Sequence, residues 1–248
     1  MHRRVLLAGL GLAAPSLAGL CPLAGQPRNP AWPRALTMGT AAAGGTYALY
    51  GPAWGALAQE ATGVDIAYRA TQGPNQNIIL MQRGEIALGM VTMGVALQAC
   101  NGEGEWTQGN RFRAIRAIFP MYDTPFHGIA LKNTGIASHA QLAGKSVGVG
   151  PRRGTPGTYY PVMLNHLGYR PSAIRYGPAS DLIGQMQDRL LDAFVFASGV
   201  PVPAFTELEA QAEVNYLAFT RAEIRKLVAK FPELAPATLP AGTYRRQE

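Results

Sequence analysis

The sequence predicts an α/β fold in two lobes, with largely parallel sheets and a cleft between them. Three observations carry that expectation. Short apolar runs alternate with amphipathic stretches along the chain. The series strand, Gly-rich turn, helix occurs around 39–47 and again around 148–158. Between the two, Tyr122-Asp123-Thr124-Pro125 reads as a crossing point, because Pro blocks helix continuation and enforces extension.

Each element can be justified in turn. Ala35 to Met38 is a short apolar run that reads as a buried strand. Gly39-Thr-Ala-Ala-Ala-Gly-Gly-Thr-Tyr47 is the Gly-rich turn. Tyr50, Trp54, Leu57 and Ala58, spaced i, i+4, i+7, i+8, predict an amphipathic helix. Val64 to Arg69 alternates like a strand, 71–77 is a polar turn, and a helix through Ile78, Ile79 and Met81 ends near Gly84. Ala87 to Val91 and Ile115 to Phe119 read as strands, with Thr92-Met93-Gly94 a turn. His127 to Leu131 opens the second unit. Ser138 can cap a short helix ending at Gly144, and Ser146 to Val149 is a strand. A helix through Tyr160, Met163, Leu164 and Leu167 follows the second Gly-rich turn and ends at Gly168. Ile174–Tyr176, Ala193–Phe196 and Val214–Phe219 read as strands, and Ser180 starts a helix. Thr220-Arg-Ala-Glu223 is a capping box opening a last helix, which Pro232 stops.

The 248 residues suffice for one large domain or two small lobes. His2-Arg3-Arg4, the apolar run Val5 to Leu20 and Ser16-Leu17-Ala18 read as an export signal over 1–25, with a faint twin-arginine character. The formal net charge is +7, but Lys and Arg are scattered, so nucleic acid is not expected. Anionic solutes are the better match. Two cysteines, Cys21 and Cys100, make no disulfide framework, so an exported chain must rely on its core.

In open α/β sheets, ligands bind beyond the carboxyl ends of the strands. The loops at 39–47, 71–77, 92–94, 150–158 and 196–201 all follow predicted strands, so an interlobe cleft collects all five. At the first, helix amides and the helix dipole favour an anion. Gly45 stands where a P-loop needs lysine, so a small anion or zwitterion fits better than a nucleotide.

Gly39-Thr40 with Gly44-Gly45-Thr46-Tyr47, Thr71 to Asn77, Gln82 to Leu88, Leu142 to Lys145, Leu191 to Pro203 and Pro236 to Tyr244 together resemble the TAXI family of solute-binding proteins. These are the periplasmic receptors of TRAP transporters. The resemblance spans nearly the whole mature chain. It implies a two-lobed periplasmic-binding-protein-like fold, closing on a small carboxylate and docking on integral-membrane subunits. It also implies the division into lobe one at 26–124, lobe two at 125–218, and a helix and tail at 219–248 returning toward lobe one. Family members continue past Gly242-Thr243-Tyr244, so on this reading the chain is C-terminally truncated. Other departures are Ala42 and Ala43 for hydroxyls, Gln76 for an acid, Met93-Gly94 for a polar-acidic pair, and Arg152-Arg153 for small residues. These shift the expected pocket toward a more acidic or more apolar carboxylate.

The candidate ligand contacts are Thr46, Tyr47, Gln76, Asn77, Thr92, Arg153, Thr155 and Phe196. Thr46 and Thr155 offer hydroxyls at helix starts, and Tyr47 a phenol. Gln76 and Asn77 can hydrogen-bond a carboxylate or amine, Arg153 can fork a carboxylate, and Phe196 can floor the cleft. Each has a plainer reading: helix cap, packing ring, turn stabiliser, solvated base or core ring. No H-E-x-x-H or G-x-S-x-G motif occurs. The expectation is a monomeric periplasmic receptor that needs no metal or cofactor and performs no chemistry. The alternatives are an enzyme on the same scaffold, or a remnant unable to close.

Overall fold

Strand β1 (Ala35–Gly39) buries its C-terminal half, Met38 and Gly39, and so carries the first glycine loop into the interior. It is the centre of a three-stranded parallel sheet in the computed structural model, which describes residues 29–245. The predicted signal at 1–25, with Cys21, lies outside the described residues. β2 (Asp65–Arg69) and β3 (Leu88–Gly89) flank β1. Helices α1 (Tyr47–Thr62), α2 (Pro74–Gln82) and α3 (Met93–Asn101) follow the three strands in turn.

The second sheet holds β4 (Phe126–Leu131), β5 (Ser146–Gly148), β6 (Ala173–Arg175), β7 (Ala193–Ala197) and β8 (Val214–Leu217) in the order β6-β5-β7-β4-β8. β5 pairs parallel with β6 and β7, whereas β4 runs antiparallel to both its neighbours. Helices α4 (Thr155–Leu167), α5 (Ala179–Gln187), α6 (Pro203–Gln211) and α7 (Arg221–Lys230) complete the unit. The fold is therefore α/β with parallel-rich sheets, as the alternating pattern predicts. Its last helix starts with both bonds of the predicted capping box, between Thr220 and Glu223.

Several elements depart from expectation for identifiable reasons. α1 buries Tyr47, Gly51 and Gly55, while Leu57 is 67% exposed. Its small-residue face lies on the sheet, and Tyr50 and Trp54 pack instead on Tyr122 and Phe119 of the connector. Helix α3 occupies the predicted turn at Met93-Gly94, and α6 follows the proline-rich turn where no helix is predicted. Pro203 is tolerated there because the first helical position has no amide to lose.

Ile115 to Phe119 is not a strand, and Ile118 is 70% exposed. The larger sheet explains this. There, antiparallel β4 stands between β7 and the edge strand β8. In the smaller sheet no described strand lies beyond β3, so 115–119 has no ladder to join.

Three apolar clusters hold the molecule together. Phe194, Phe205, Leu182 and Met186 fill one face of the five-stranded sheet, and Val147, Val195, Tyr160 and Leu164 the other. Ile78, Val95 and Ala99 of α2 and α3 join Tyr159 and Met163 of α4 and Leu227 of α7 in the third. Each fully buried large side chain contributes about 1.5–3 kcal/mol. The third cluster presses the two sheets' helices together beside the cleft. Of the segment 219–248, Leu227, Phe231 and Leu234 lie in the third cluster beside Ile78 and Val95. Tyr244 is buried against Phe205 and Tyr216 in the core of the five-stranded sheet.

Candidate functional site in the interlobe cleft

Loops leaving the C-terminal ends of β1, β2, β3, β5 and β7 converge where the two sheets face each other. They meet in direct contact. Thr46 N donates to Ser198 Oγ at 3.1 Å, Ser198 Oγ donates to Thr46 Oγ1 at 3.0 Å, and Thr46 Oγ1 donates to the carbonyl of Gly199 at 2.6 Å. Ala204 N donates to Gly44 O at 3.2 Å. Gly44 has φ +83°, and a Cβ there would lie 2.8 Å from Ser180 N, so only glycine allows this approach. On the other side of the cleft Asn75 N donates to Arg153 O at 3.2 Å, and the hydroxyls of Thr92 and Thr155 are 2.8 Å apart.

These contacts enclose a cavity of about 40 Å³. Thr46, Tyr47, Thr92, Thr155, Ser198 and Phe196 line it, among alanines 41–43 and prolines 74, 151 and 156. The first turns of α1, α2 and α4 and the cap of α3 all reach it. Their amides and dipoles make it favourable to negative charge. No Asp, Glu, Lys or Arg is among its lining residues.

A larger groove of about 1540 Å³ adjoins the cavity. Tyr47, Thr92, Thr124 and Thr155 line both spaces, and Phe119, Met121, Phe126 and Met163 give the groove apolar walls.

Five predicted contacts are therefore brought together: Thr46, Tyr47, Thr92, Thr155 and Phe196. Three are not. Asn77 is fully buried, donating to the carbonyls of Gly39, Thr40 and Met90 at 2.9–3.2 Å and accepting from Thr71 Oγ1 at 2.8 Å. Its amide ties three loops together within the first lobe. Gln76 accepts from Gln72 N at 2.8 Å and so closes its own turn. Arg153 is exposed and enters the interface through its carbonyl, while Arg152 stacks over Tyr176 at 4.0 Å. Charged groups favour water over a small dry cavity unless a guest compensates them.

Ser198 and Thr124 are lining residues that the sequence reading left out. Ser198 follows β7 in the same way Thr40 follows β1, and that repetition is the signal that points to it. Among the described residues Ser198 Oγ bonds only to Thr46, not to a base. His127 and His139 are buried elsewhere, and burial lowers each to about 4.

Residues 38–248 match the NMT1-like family. The chain belongs to that family. Solved structures similar to this NMT1-like chain include an ancestral arginine-binding protein bound to arginine, at TM-score 0.54 and 16% identity over 76% of this chain and 80% of that one. Another is an ABC uptake transporter substrate-binding protein from Streptococcus pneumoniae with bound histidine, at TM-score 0.52 and 11% identity over 74% of each chain. At these identities the likeness is one of fold. The NMT1-like chain shares the two-lobed α/β fold of these two binding proteins.

Proposed function

We propose that this NMT1-like protein is an extracytoplasmic receptor that captures a small organic anion between its lobes and delivers it to membrane subunits of a TRAP-type transporter. One observation carries the reading: helix N-termini from both lobes meet around one cavity that has no acidic side chain in its lining. The family match and the shared fold support it, as does the net charge of +7. The export signal at 1–25 and the resemblance to TAXI receptors supply the compartment and the TRAP partner. On this reading lobe one runs over 26–124 and lobe two over 125–218. Thr46, Tyr47, Thr92, Thr155 and Phe196 contact the guest.

The cavity's 40 Å³ holds little more than a water or two, far below the ~300–1,000 Å³ of typical ligand pockets. Capture therefore requires the lobes to part and close again on the guest. The bonds from Thr46 to Ser198 and Gly199 break and re-form in that cycle. A panel of carboxylates and sulfonates screened by thermal shift tests the reading, because a guest that binds only the folded protein raises its melting temperature. Small-angle scattering on each hit should then show compaction. No shift with any acid counts against the proposal.

A further inference from the structure

The two sheets follow one plan up to a point. Strand and helix alternate as β1-α1-β2-α2-β3-α3 in the smaller unit and as β5-α4-β6-α5-β7-α6 in the larger. Both sheets set these strands in the same order, β2-β1-β3 against β6-β5-β7, with the central strand parallel to both neighbours. The larger sheet then continues. Antiparallel β4 pairs with β7 on one side and with β8, the strand after α6, on the other. In the smaller unit the extended segment 115–119 follows α3 as β8 follows α6. Beside β3, where the counterpart of β4 belongs, no described strand stands.

The segment 115–119 is anchored at its ends. Ala114 N donates to Gln82 Oε1 at the end of α2 at 3.0 Å, Ile115 packs against the third apolar cluster, and the Phe119 ring lies 5.5 Å from Trp54 of α1. Between these anchors Arg116, Ala117 and Ile118 are exposed. No backbone group of 116–119 hydrogen-bonds to another described residue. The outer groove reaches this edge, with Val91, two residues beyond β3, and Phe119 both in its wall. An unpaired edge of this kind accepts a strand from another chain through main-chain hydrogen bonds.

The charge around the edge selects the occupant. Arg111, Arg113 and Arg116 are exposed and form no ion pair with a described residue, and no Asp or Glu occurs between Glu105 and Asp123. A second copy meeting this one edge to edge would set arginine against arginine, because a two-fold contact pairs identical surfaces. A lipid surface supplies negative charge but no backbone ladder. An acidic strand supplies both.

We propose that the free edge formed by β3 and 115–119 is a docking site for an extended segment of another protein, apolar in its middle and acidic at its flanks, which inserts antiparallel to β3 as β4 does beside β7. This goes beyond the receptor reading and does not depend on it.

Fluorescence anisotropy of the purified protein with labelled synthetic peptides tests the proposal. The first peptide has five alternating valines and threonines with two glutamates at each end. It should bind. A version with proline at its centre lacks a ladder donor, and a version with lysines for the glutamates has the wrong charge, so each should bind about tenfold or more weakly. Hydrogen exchange should slow at 88–91 and 116–119 when the first peptide binds. Ile118→Glu and Arg113→Glu should each weaken that binding about tenfold and leave the melting temperature unchanged, since both side chains are exposed. No binding of the first peptide, or equal binding of the proline version, overturns the proposal. So does slow exchange at 116–119 in the free protein, which would mean that the edge is already covered. A dimer that Ile118→Glu dissolves would give the edge to a second copy, and flotation with phosphatidylglycerol vesicles that Arg113→Glu abolishes would give it to lipid. Either result overturns the proposal as well.

Discussion

Thr46 and Ser198 grip each other across the cleft: the Thr46 amide donates to Ser198 Oγ at 3.1 Å, and that same Oγ donates back to Thr46 Oγ1 at 3.0 Å. With the bond from Thr46 Oγ1 to Gly199 O, three hydrogen bonds link the start of α1 to the end of β7. Each is worth about 0.5–1.5 kcal/mol net. Thr46→Val combined with Ser198→Ala removes the side-chain partners while leaving each lobe's core untouched. The free protein should then shift toward open lobes, and scattering should report a larger radius of gyration. An unchanged radius would mean that the apolar cluster of Ile78, Tyr159 and Met163 holds the lobes shut without this latch.

Asn77 has a different job from the one its polar character suggests. Its amide nitrogen holds the carbonyls that end β1 and β3, and its oxygen accepts from Thr71. Asn77→Ala strips partners from all of these buried groups at once. It should destabilise the protein by about 2–5 kcal/mol, several times an ordinary hydrogen-bond loss, because the orphaned groups stay buried. Urea unfolding measures this directly. A loss under ~1 kcal/mol would show that water enters and satisfies the carbonyls.

Much of this architecture is legible in the sequence, because strand-turn-helix units announce themselves locally. Gly168 and the Thr220–Glu223 box mark helix ends through groups a few residues apart. The glycine loops place Thr46, Tyr47 and Thr155 at helix starts for the same reason. What is not legible depends on distant partners. Ile115 to Phe119 has the apolar pattern of a strand, but a strand also needs a neighbour, and that neighbour is a property of the sheet. Asn77 and Arg153 look alike as polar loop residues. Only the positions of β1 and β3 decide that one is a buried brace and the other a solvated base. α6 hides behind Val200-Pro-Val-Pro203, where proline reads as a stop although it is also a good start.

Tyr244 ties the tail to the cleft. Its hydroxyl accepts from Val202 N at 3.0 Å and lies 2.8 Å from His127 Nε2, to which it donates. That tautomer follows because His127 Nδ1 faces the carbonyl of Pro125 at 3.2 Å and must donate there. Tyr244→Phe keeps the stack on Tyr216 but leaves Val202 N and His127 Nε2 without partners. The expected loss is about 1–3 kcal/mol of stability in urea unfolding. Faster exchange of the Val202 amide proton should accompany it, since that amide anchors the turn that carries Ser198. Protection of Val202 equal to the parent's would show that the turn holds without the tail.

His127 and His139 give the stability a pH dependence of known sign. Burial lowers both from 6.5 to about 4, so between those values the unfolded chain is protonated at both sites and the folded chain is not. Falling pH therefore favours unfolding, and stability that is fully present above about pH 6.5 drains away as pH drops toward 4. At 1.36 kcal/mol per unit, each site accounts for roughly 3 kcal/mol as an upper bound. His139 is the cleaner one to remove. It is fully buried and stacks on Phe219 at 3.7 Å. His139→Phe keeps a ring in the stack and deletes one of the two titrating sites. Melting temperatures of the parent protein should fall steeply from pH 6.5 to 4, and the variant's fall should be about half as large. A variant with the parent's full slope would place the acid sensitivity on other groups, and a parent with no slope would mean that neither imidazole is held neutral by its surroundings.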